Sequence, residues 1–437
     1  MIDFLKQNAQ LVIMILVWVF CGLINTNLAI AVVTVCVLLM KQKGFYKELI
    51  LGFLFILVMG DNRQPSAYYA ANVKNIYIVL LALFYFFDRK NFSFKNTYFI
   101  PFIIFFAAGA VSLTQAPAVN MSNSFQKTLS YILLIMVMPA YFIKSLNMYK
   151  EVFLKDIFYF YSYILLVGIL FIAVFPGSVF LVGRFSGLYG NPNGIGIACT
   201  LFFLLIMMIR IKLPSLLTKN DLRMAYSLIA LSVLLAVSRN TMMSILIYLL
   251  FARFYRMSFL AGFTILIVVA IVYQIIESNL VEIVKALGLG SYLRADNIKD
   301  GSGRGLAWAV AWKTIQQQYM IGKGFAFDEW FFYANRHWLS ARGHQGGVHN
   351  SWLALWLNTG IIWLICYAIG FFRTFIKAIS KTRAAFAIMF AIIFSATFEA
   401  WLMGSLNPFH IMFILLMTII FYDQFEPEKE ESAVPVL

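Results

Sequence analysis

Charge is what this sequence has least of. Only 12% of its 437 residues are Asp, Glu, Lys or Arg, about half of the ~25% usual in soluble domains. That excludes a disordered chain, which stays in solution through its charge. Cysteine is equally scarce. Cys21, Cys36, Cys199 and Cys366 lie in or beside apolar runs and form no CxxC or Cys/His cluster. A secreted disulfide scaffold is excluded, and the four read as small buried hydrophobes. The four histidines, His337, His344, His349 and His410, fit no metal-ligand spacing. No DxD motif or outer-side pair of carboxylates suggests a divalent cation, so no metal and no cofactor is expected. The first apolar run leads into Cys21-Gly22-Leu23 without a small-x-small cleavage pattern, so no cleavable signal peptide is expected either.

What fills the sequence is apolar. Hydrophobic residues make up 62%, and the mean hydropathy is +0.84. No soluble core of this length hides that much apolar surface, so a cytosolic enzyme is excluded. The chain reads as an all-α polytopic membrane protein. Its formal charge of +15 then reflects basic cytoplasmic loops rather than nucleic-acid binding. The 17% aromatic content suits two wet interfaces.

A spanning helix needs ~20 apolar residues. About fourteen such runs (12–14 spans) are expected, at about 10–24, 27–40, 45–60, 74–87, 98–114, 128–145, 155–176, 193–212, 224–238, 241–254, 258–276, 349–371, 384–402 and 408–422. The first two form a tight hairpin, since one helix of ~30 residues would reach ~45 Å and overrun a ~30 Å hydrocarbon core. With the N-terminus inside, 21 of the 34 Lys and Arg fall in inside segments and 5 in short outside loops. That bias fixes both termini as cytoplasmic. The rest lie in one long outside excursion, 277–348. The tail, 424–437, is charged and expected to be disordered and cytoplasmic.

The excursion begins with a Gly- and Asp-rich stretch, in which Asp296 and Asp300 read as solvated. From Arg304 a helical pattern sets in, with Trp308, Trp312, Ile315 and Tyr319 on one stripe and Gly322-Lys-Gly324 as its stop. That helix is expected on the membrane surface or against the bundle mouth. An aromatic loop follows, and Arg342-Gly-His344 and His349-Asn-Ser351 lead into the next span.

The topology brings four basic positions to the outer face: Arg184, Arg239, Arg304 and His349. Each has a plain reading. A helix-end arginine snorkels to headgroups, Arg304 at a helix N-terminus bridges a phospholipid, and a helix-end histidine is simply satisfied. Together they suggest a site for an anionic, lipid-borne substrate. Arginine's planar fork binds phosphate oxygens at two points and stays charged. A neutral histidine takes a proton from an attacking hydroxyl near pH 7. Glu399, near the outer end of a span, is either an alternative base or the partner of one of the arginines. Asp61 and Arg63 read as a local pair.

The motifs are Arg184 with Gly190-Asn-Pro-Asn193-Gly, Ser238-Arg239-Asn240, Gly303-Arg304 with Trp308 and Trp312, and His349-Asn350-Ser351 with Gly360. In order and spacing, over about 184–372, they resemble the O-antigen ligase and polymerase superfamily. These are bacterial membrane glycosyltransferases acting on undecaprenyl-diphosphate-linked glycans. The resemblance implies a GT-C-like helical fold with an outward cavity under the long loop. It implies that Arg184, Arg239 and Arg304 hold the diphosphate and that His349 activates the acceptor without a metal. Asn193 and Asn350 support the site, His344 is a second candidate base, and Arg342 and Arg336 are weaker phosphate contacts. The implied reaction, read as inverting, moves a glycan from undecaprenyl diphosphate to an acceptor hydroxyl in O-antigen or capsule assembly. The acceptor is another glycan in a polymerase and lipid A-core in a ligase. Fourteen spans, against the dozen typical of ligases, lean toward polymerase. Membrane lipids and a chain-length regulator are the further partners. The setting is the bacterial inner membrane with the site facing the periplasm. The alternative from another class is a lipid-linked-glycan flippase or transporter, which the long loop and the lack of similar halves disfavour.

Overall fold

The computed structural model describes residues 2–92, 110–253, 258–286, 304–342, 344, 346–423 and 425. The larger part of the expected span 98–114, Asp296, Asp300 and nearly all of the tail lie outside them.

The described chain is almost wholly helical. In order, α1 is Ile2–Gln7, α2 Ala9–Ile24, α3 Thr26–Gln42, α4 Tyr46–Asp61, α5 Tyr68–Phe87, α6 Met121–Val174 and α7 Pro176–Val179. A two-stranded ribbon follows, β1 Phe180–Leu181 with β2 Arg184–Phe185. Then come α8 Pro192–Lys212, α9 Lys219–Ala236, α10 Arg239–Arg253, α11 Phe259–Ala286, α12 Arg304–Ile315, α13 Phe327–Ala334, α14 Arg336–Ser340, α15 Ser351–Thr359, α16 Ile361–Lys381, α17 Ala384–Phe398 and α18 Pro408–Phe421.

Four stretches among the described residues are long and apolar enough to cross a membrane: Pro65–Phe87, Ala118–Val174, Pro192–Lys212 and Ile361–Lys381. Five shorter apolar helices accompany them. The α2–α3 hairpin turns at Asn25, whose side chain caps α3 by accepting from the Asn27 and Leu28 amides at 2.8 and 3.2 Å. The expected spans 128–145 and 155–176 form one 54-residue run broken at Lys150, where φ is 46°. The run expected at 349–371 is split at Gly360, whose φ is 86°. A Cβ there would run into the Met320 carbonyl. Ile361 N–H donates to Tyr319 O, and the Lys323 and Gly324 amides donate to Leu357 O and Asn358 O. The loop after α12 thus docks on the break. α12 itself stops at Ile315, short of Gly322. Its buried face is Ala307, Ala311, Thr314 and Ile315, while Trp312 and Tyr319 pack edge-on against Trp356. The expected aromatic stripe is therefore a cluster around the loop and not one side of a single helix.

Two compact units divide the chain: Met1–Phe99, Ser130–Met243 and Gly404–Leu437 form the first, and Ile100–Leu129 and Ser244–Met403 the second. In the first, α8 and α18 are buried on every side, as helices apolar all round must be. In the second, α17 plays that part. The outer helices invert the pattern of a soluble protein. On α16 the inward face is Tyr367, Gly370, Phe371, Thr374 and Phe375, while Ile365 and Ile369 stand 52% and 61% exposed. Ile13, Leu16, Phe20 and Leu23 on α2 do the same. Apolar side chains turned outward on this scale face lipid.

Candidate functional site

In the second unit three sequence-predicted residues meet. Arg304 is the first residue of α12, and Trp308, one turn on, donates its indole N–H to Val348 O at 3.0 Å. This bond, which the sequence reading did not foresee, ties α12 to the residue before His349. His349 sits at φ 49°, a region that costs a non-glycine residue. Asn350 is then the N-cap of α15, accepting from the Trp352 and Leu353 amides at 2.9 and 3.0 Å. Ser351 donates to Glu399 O at 2.7 Å and accepts from the Trp401 and Leu402 amides. That hydroxyl clamps the extended turn after α17 against the start of α15.

The clamp presents Glu399 to two partners. Arg304 Nη2 lies 3.0 Å from Glu399 Oε1, and His349 Nδ1 lies 3.1 Å from Glu399 Oε2. The carboxylate is 5% exposed. A buried carboxylate is tolerated when each oxygen is paired, as here. The bond orients the imidazole: with Nδ1–H directed at Glu399, Nε2 is the acceptor of the neutral ring. On the Nε2 side stands Gly346, where an added Cβ would lie 2.7 Å from that nitrogen. The Arg304 guanidinium also lies over Phe398, 5.8 Å from the ring centroid.

His344 meets His349 edge-on, at 5.7 Å between ring centroids. It is 1% exposed. Burial and the neighbouring His349 hold it below the ordinary histidine range, against the pull of the Gly347 and Gly346 carbonyls. It has no carboxylate partner among the described residues, and its Nε2 lies 3.1 Å from Gly347 O. Arg342 stacks on Trp338 at 4.2 Å and donates to the Trp338 carbonyl. The described contacts do not join it to the Arg304–Glu399–His349 group.

The first unit holds Arg184 and Arg239. Arg184 closes the end of α9: Nε donates to Ala236 O at 2.8 Å and Nη2 to Val237 O at 3.2 Å. A cation at a helix C-terminus is favoured by the helix dipole. Nη2 also reaches Asn193 Oδ1 at 3.2 Å, so the Asn193 side chain braces the arginine. Asn191 caps α8 through Gly194 N, and Asp61 accepts from Gly190 N at 2.9 Å. Asp61 thus holds the Gly190–Asn193 turn, a link the sequence reading missed. Arg239 opens α10 just after Val237 and Ser238. Val237 is left-handed at φ 48°, an unusual choice for a β-branched residue. Of five non-glycine residues with positive φ among those described, Val182 and Val237 each lie two residues before a candidate arginine and His349 is a candidate itself.

These features define a helical membrane protein with a charged Arg–Glu–His group at helix ends. Residues 224–368, about a third of the chain, match the family model described as O-Antigen ligase. That third of the chain is similar to the O-antigen ligase family, in agreement with the resemblance its motifs carry. No curated protein matches it. The matched segment contains Arg239, Arg304, His344, His349 and Asn350, whereas Arg184 and Glu399 lie outside it.

Proposed function

We propose that the chain is a glycosyltransferase of the outer membrane face that moves a glycan from undecaprenyl diphosphate to an acceptor hydroxyl. The observation that carries this reading is the Arg304–Glu399–His349 group. His349 Nε2 takes the proton of the acceptor hydroxyl, whose oxygen bonds to the anomeric carbon as the carbon–oxygen bond to the diphosphate breaks. Attack from the opposite face inverts that centre. Glu399 holds the Nδ1–H and stabilises the imidazolium as it forms, in the manner of the acid in a Ser-His-Asp triad. His349 is preferred to His344 as the base because it alone has a carboxylate behind it among the described contacts.

Negative charge grows on the leaving diphosphate, and fixed cations lower that barrier. Arg184, Arg239 and Arg304, with Arg342 as the weaker candidate, are proposed as the groups that meet it. The reading assigns this task to arginines and not to a metal, so turnover is expected to survive EDTA. In the proposed setting, the bacterial inner membrane, the chain has about fourteen spans, cytoplasmic termini, a periplasmic 277–348 segment and a GT-C-like fold. The expected span count favours a polymerase that uses a second lipid-linked glycan as acceptor, with a chain-length regulator as partner. The ligase description of the matched model favours the second reading, transfer to lipid A-core.

Deletion in the native host tests the function. Single repeats on the surface anchor mark a polymerase. Long chains stranded on undecaprenyl diphosphate mark a ligase. Normal glycans in both pools overturn the proposal. In the purified protein, His349→Ala is expected to abolish transfer with folding intact, and normal turnover would remove His349 as the base.

A further inference from the structure

We propose that the pocket beside His349 is an acceptor subsite for an acidic sugar, one bearing a carboxylate or a phosphate. This rests on the glycosyltransferase reading for the word acceptor, but not for the binding itself. The pocket encloses about 320 Å³ and is lined by Arg336, His337, Leu339, Ser340, His344 and Gly346. That is within the ~300–1,000 Å³ range of small-molecule sites. Its position decides which substrate it serves. Arg304 and Glu399 lie on the Nδ1 side of His349, whereas Gly346 abuts Nε2. Gly346 both lines the pocket and abuts Nε2, so the pocket adjoins the nitrogen that would take the acceptor's proton.

Among the described residues the lining carries basic and hydroxyl groups and no carboxylate. Arg336 is held ready. Its guanidinium stacks on exposed Tyr333 at 4.2 Å, and Nη1 donates to Tyr333 O at 3.1 Å. One nitrogen is thereby used, in a fork of five N–H donors suited to two-point recognition of a carboxylate or phosphate. Ser340 stands with Arg336 in the lining: its hydroxyl hydrogen goes to His337 O at 3.1 Å, which leaves the oxygen lone pairs as acceptors for a sugar hydroxyl. An anionic group on Arg336 and a hydroxyl on Ser340 together describe an acidic sugar better than a bare anion or a neutral one.

The test is calorimetric binding of three matched trisaccharides to the full chain in nanodiscs. One carries a glucuronate, one the corresponding 6-phosphoglucose and one glucose. At least one acidic trisaccharide is expected to bind about tenfold more tightly than the neutral one, and the better of the two identifies the anion. Arg336→Gln is expected to remove that preference while leaving neutral binding within about twofold. Arg336→Lys, which keeps the charge and loses the fork, should retain only part of it. Equal binding of all three by the unaltered chain overturns the proposal. So does a preference that survives Arg336→Gln, or a loss spread evenly over the three. If Arg336→Gln fails to fold, Arg336→Lys and His337→Ala carry the same comparison. Transfer from a lipid-linked donor is scored separately. An acidic preference without transfer overturns the enzymatic reading alone, and transfer without the preference overturns the subsite alone.

Discussion

At the scale of single residues, the candidate site turns on one carboxylate shared between a cation and a base. Glu399→Gln keeps the shape and an acceptor oxygen but removes the charge that stabilises an imidazolium. It is expected to lower kcat by about 10²–10⁴ with the donor KM little changed. Single-turnover kinetics on protein of unaltered melting temperature checks this, and a change confined to KM would assign Glu399 to binding instead. Gly346 gives an independent test of which nitrogen works. A methyl there would stand 2.7 Å from His349 Nε2, on a backbone at φ 127°. Gly346→Ala is expected to abolish transfer even where the protein still folds, and active protein would show that the proton leaves by another route.

At the scale of elements, the segment between α12 and α15 is held by a buried polar pair. The Asp328 amide donates to Asn358 Oδ1, and Asn358 Nδ2 donates back to Asp328 Oδ1, at 3.0 and 2.8 Å. This couples α13 to the last turn of α15. Burial, reinforced by Glu329, pushes Asp328 up to about 6, against the Asn358 hydrogen bond and Lys127. A carboxyl with a raised folded-state pKa contributes most stability below its unfolded value, about 4, and loses it as pH rises through about 6. Melting in detergent is therefore expected to be higher at pH 5 than at pH 7.5, and Asp328→Asn to flatten the difference. An unchanged slope in that variant would place the titration elsewhere.

The same elements show what a sequence can and cannot disclose. The α2–α3 turn was legible because Asn25 caps a helix locally, within three residues. The start of α12 at Arg304 was legible from the helical pattern that sets in there, whereas the cap at Asn350 was hidden inside a span expected from 349. The break at Gly360 was not legible either, because an apolar run reads as continuous until Met320 and Gly324 from a distant loop dock against it. Glu399 was identifiable as a buried acid, but its pairing with Arg304, 95 positions away, depends on how α12 and α17 end. The bond from Trp308 to Val348 leaves no periodic signal at all, since an indole on an apolar stripe looks like packing.

At the scale of the whole molecule, lipid takes the place of water as the solvent of the outer faces, and this is testable at one side chain. Ile369 on α16 is 61% exposed, while its neighbours Gly370 and Phe371 point inward. On a soluble protein, a lysine at such a position changes stability by less than about 0.5 kcal/mol and often improves solubility. In a bilayer it meets hydrocarbon, where a central charge costs about 2.5–3.5 kcal/mol on insertion scales. Ile369→Lys is therefore expected to reduce the amount of folded protein recovered from membranes and to lower its melting temperature in nanodiscs. Ile369→Leu should do neither, since it keeps the apolar contact with lipid. Phe371→Leu serves as the internal control. Phe371 is fully buried among Trp352, Phe372 and Phe375, so its loss weakens packing in either solvent. Only the exposed position distinguishes the two solvents. A lysine tolerated at 369 would mean that this face of α16 meets water, and with it the reading of α16 as a spanning helix would fall.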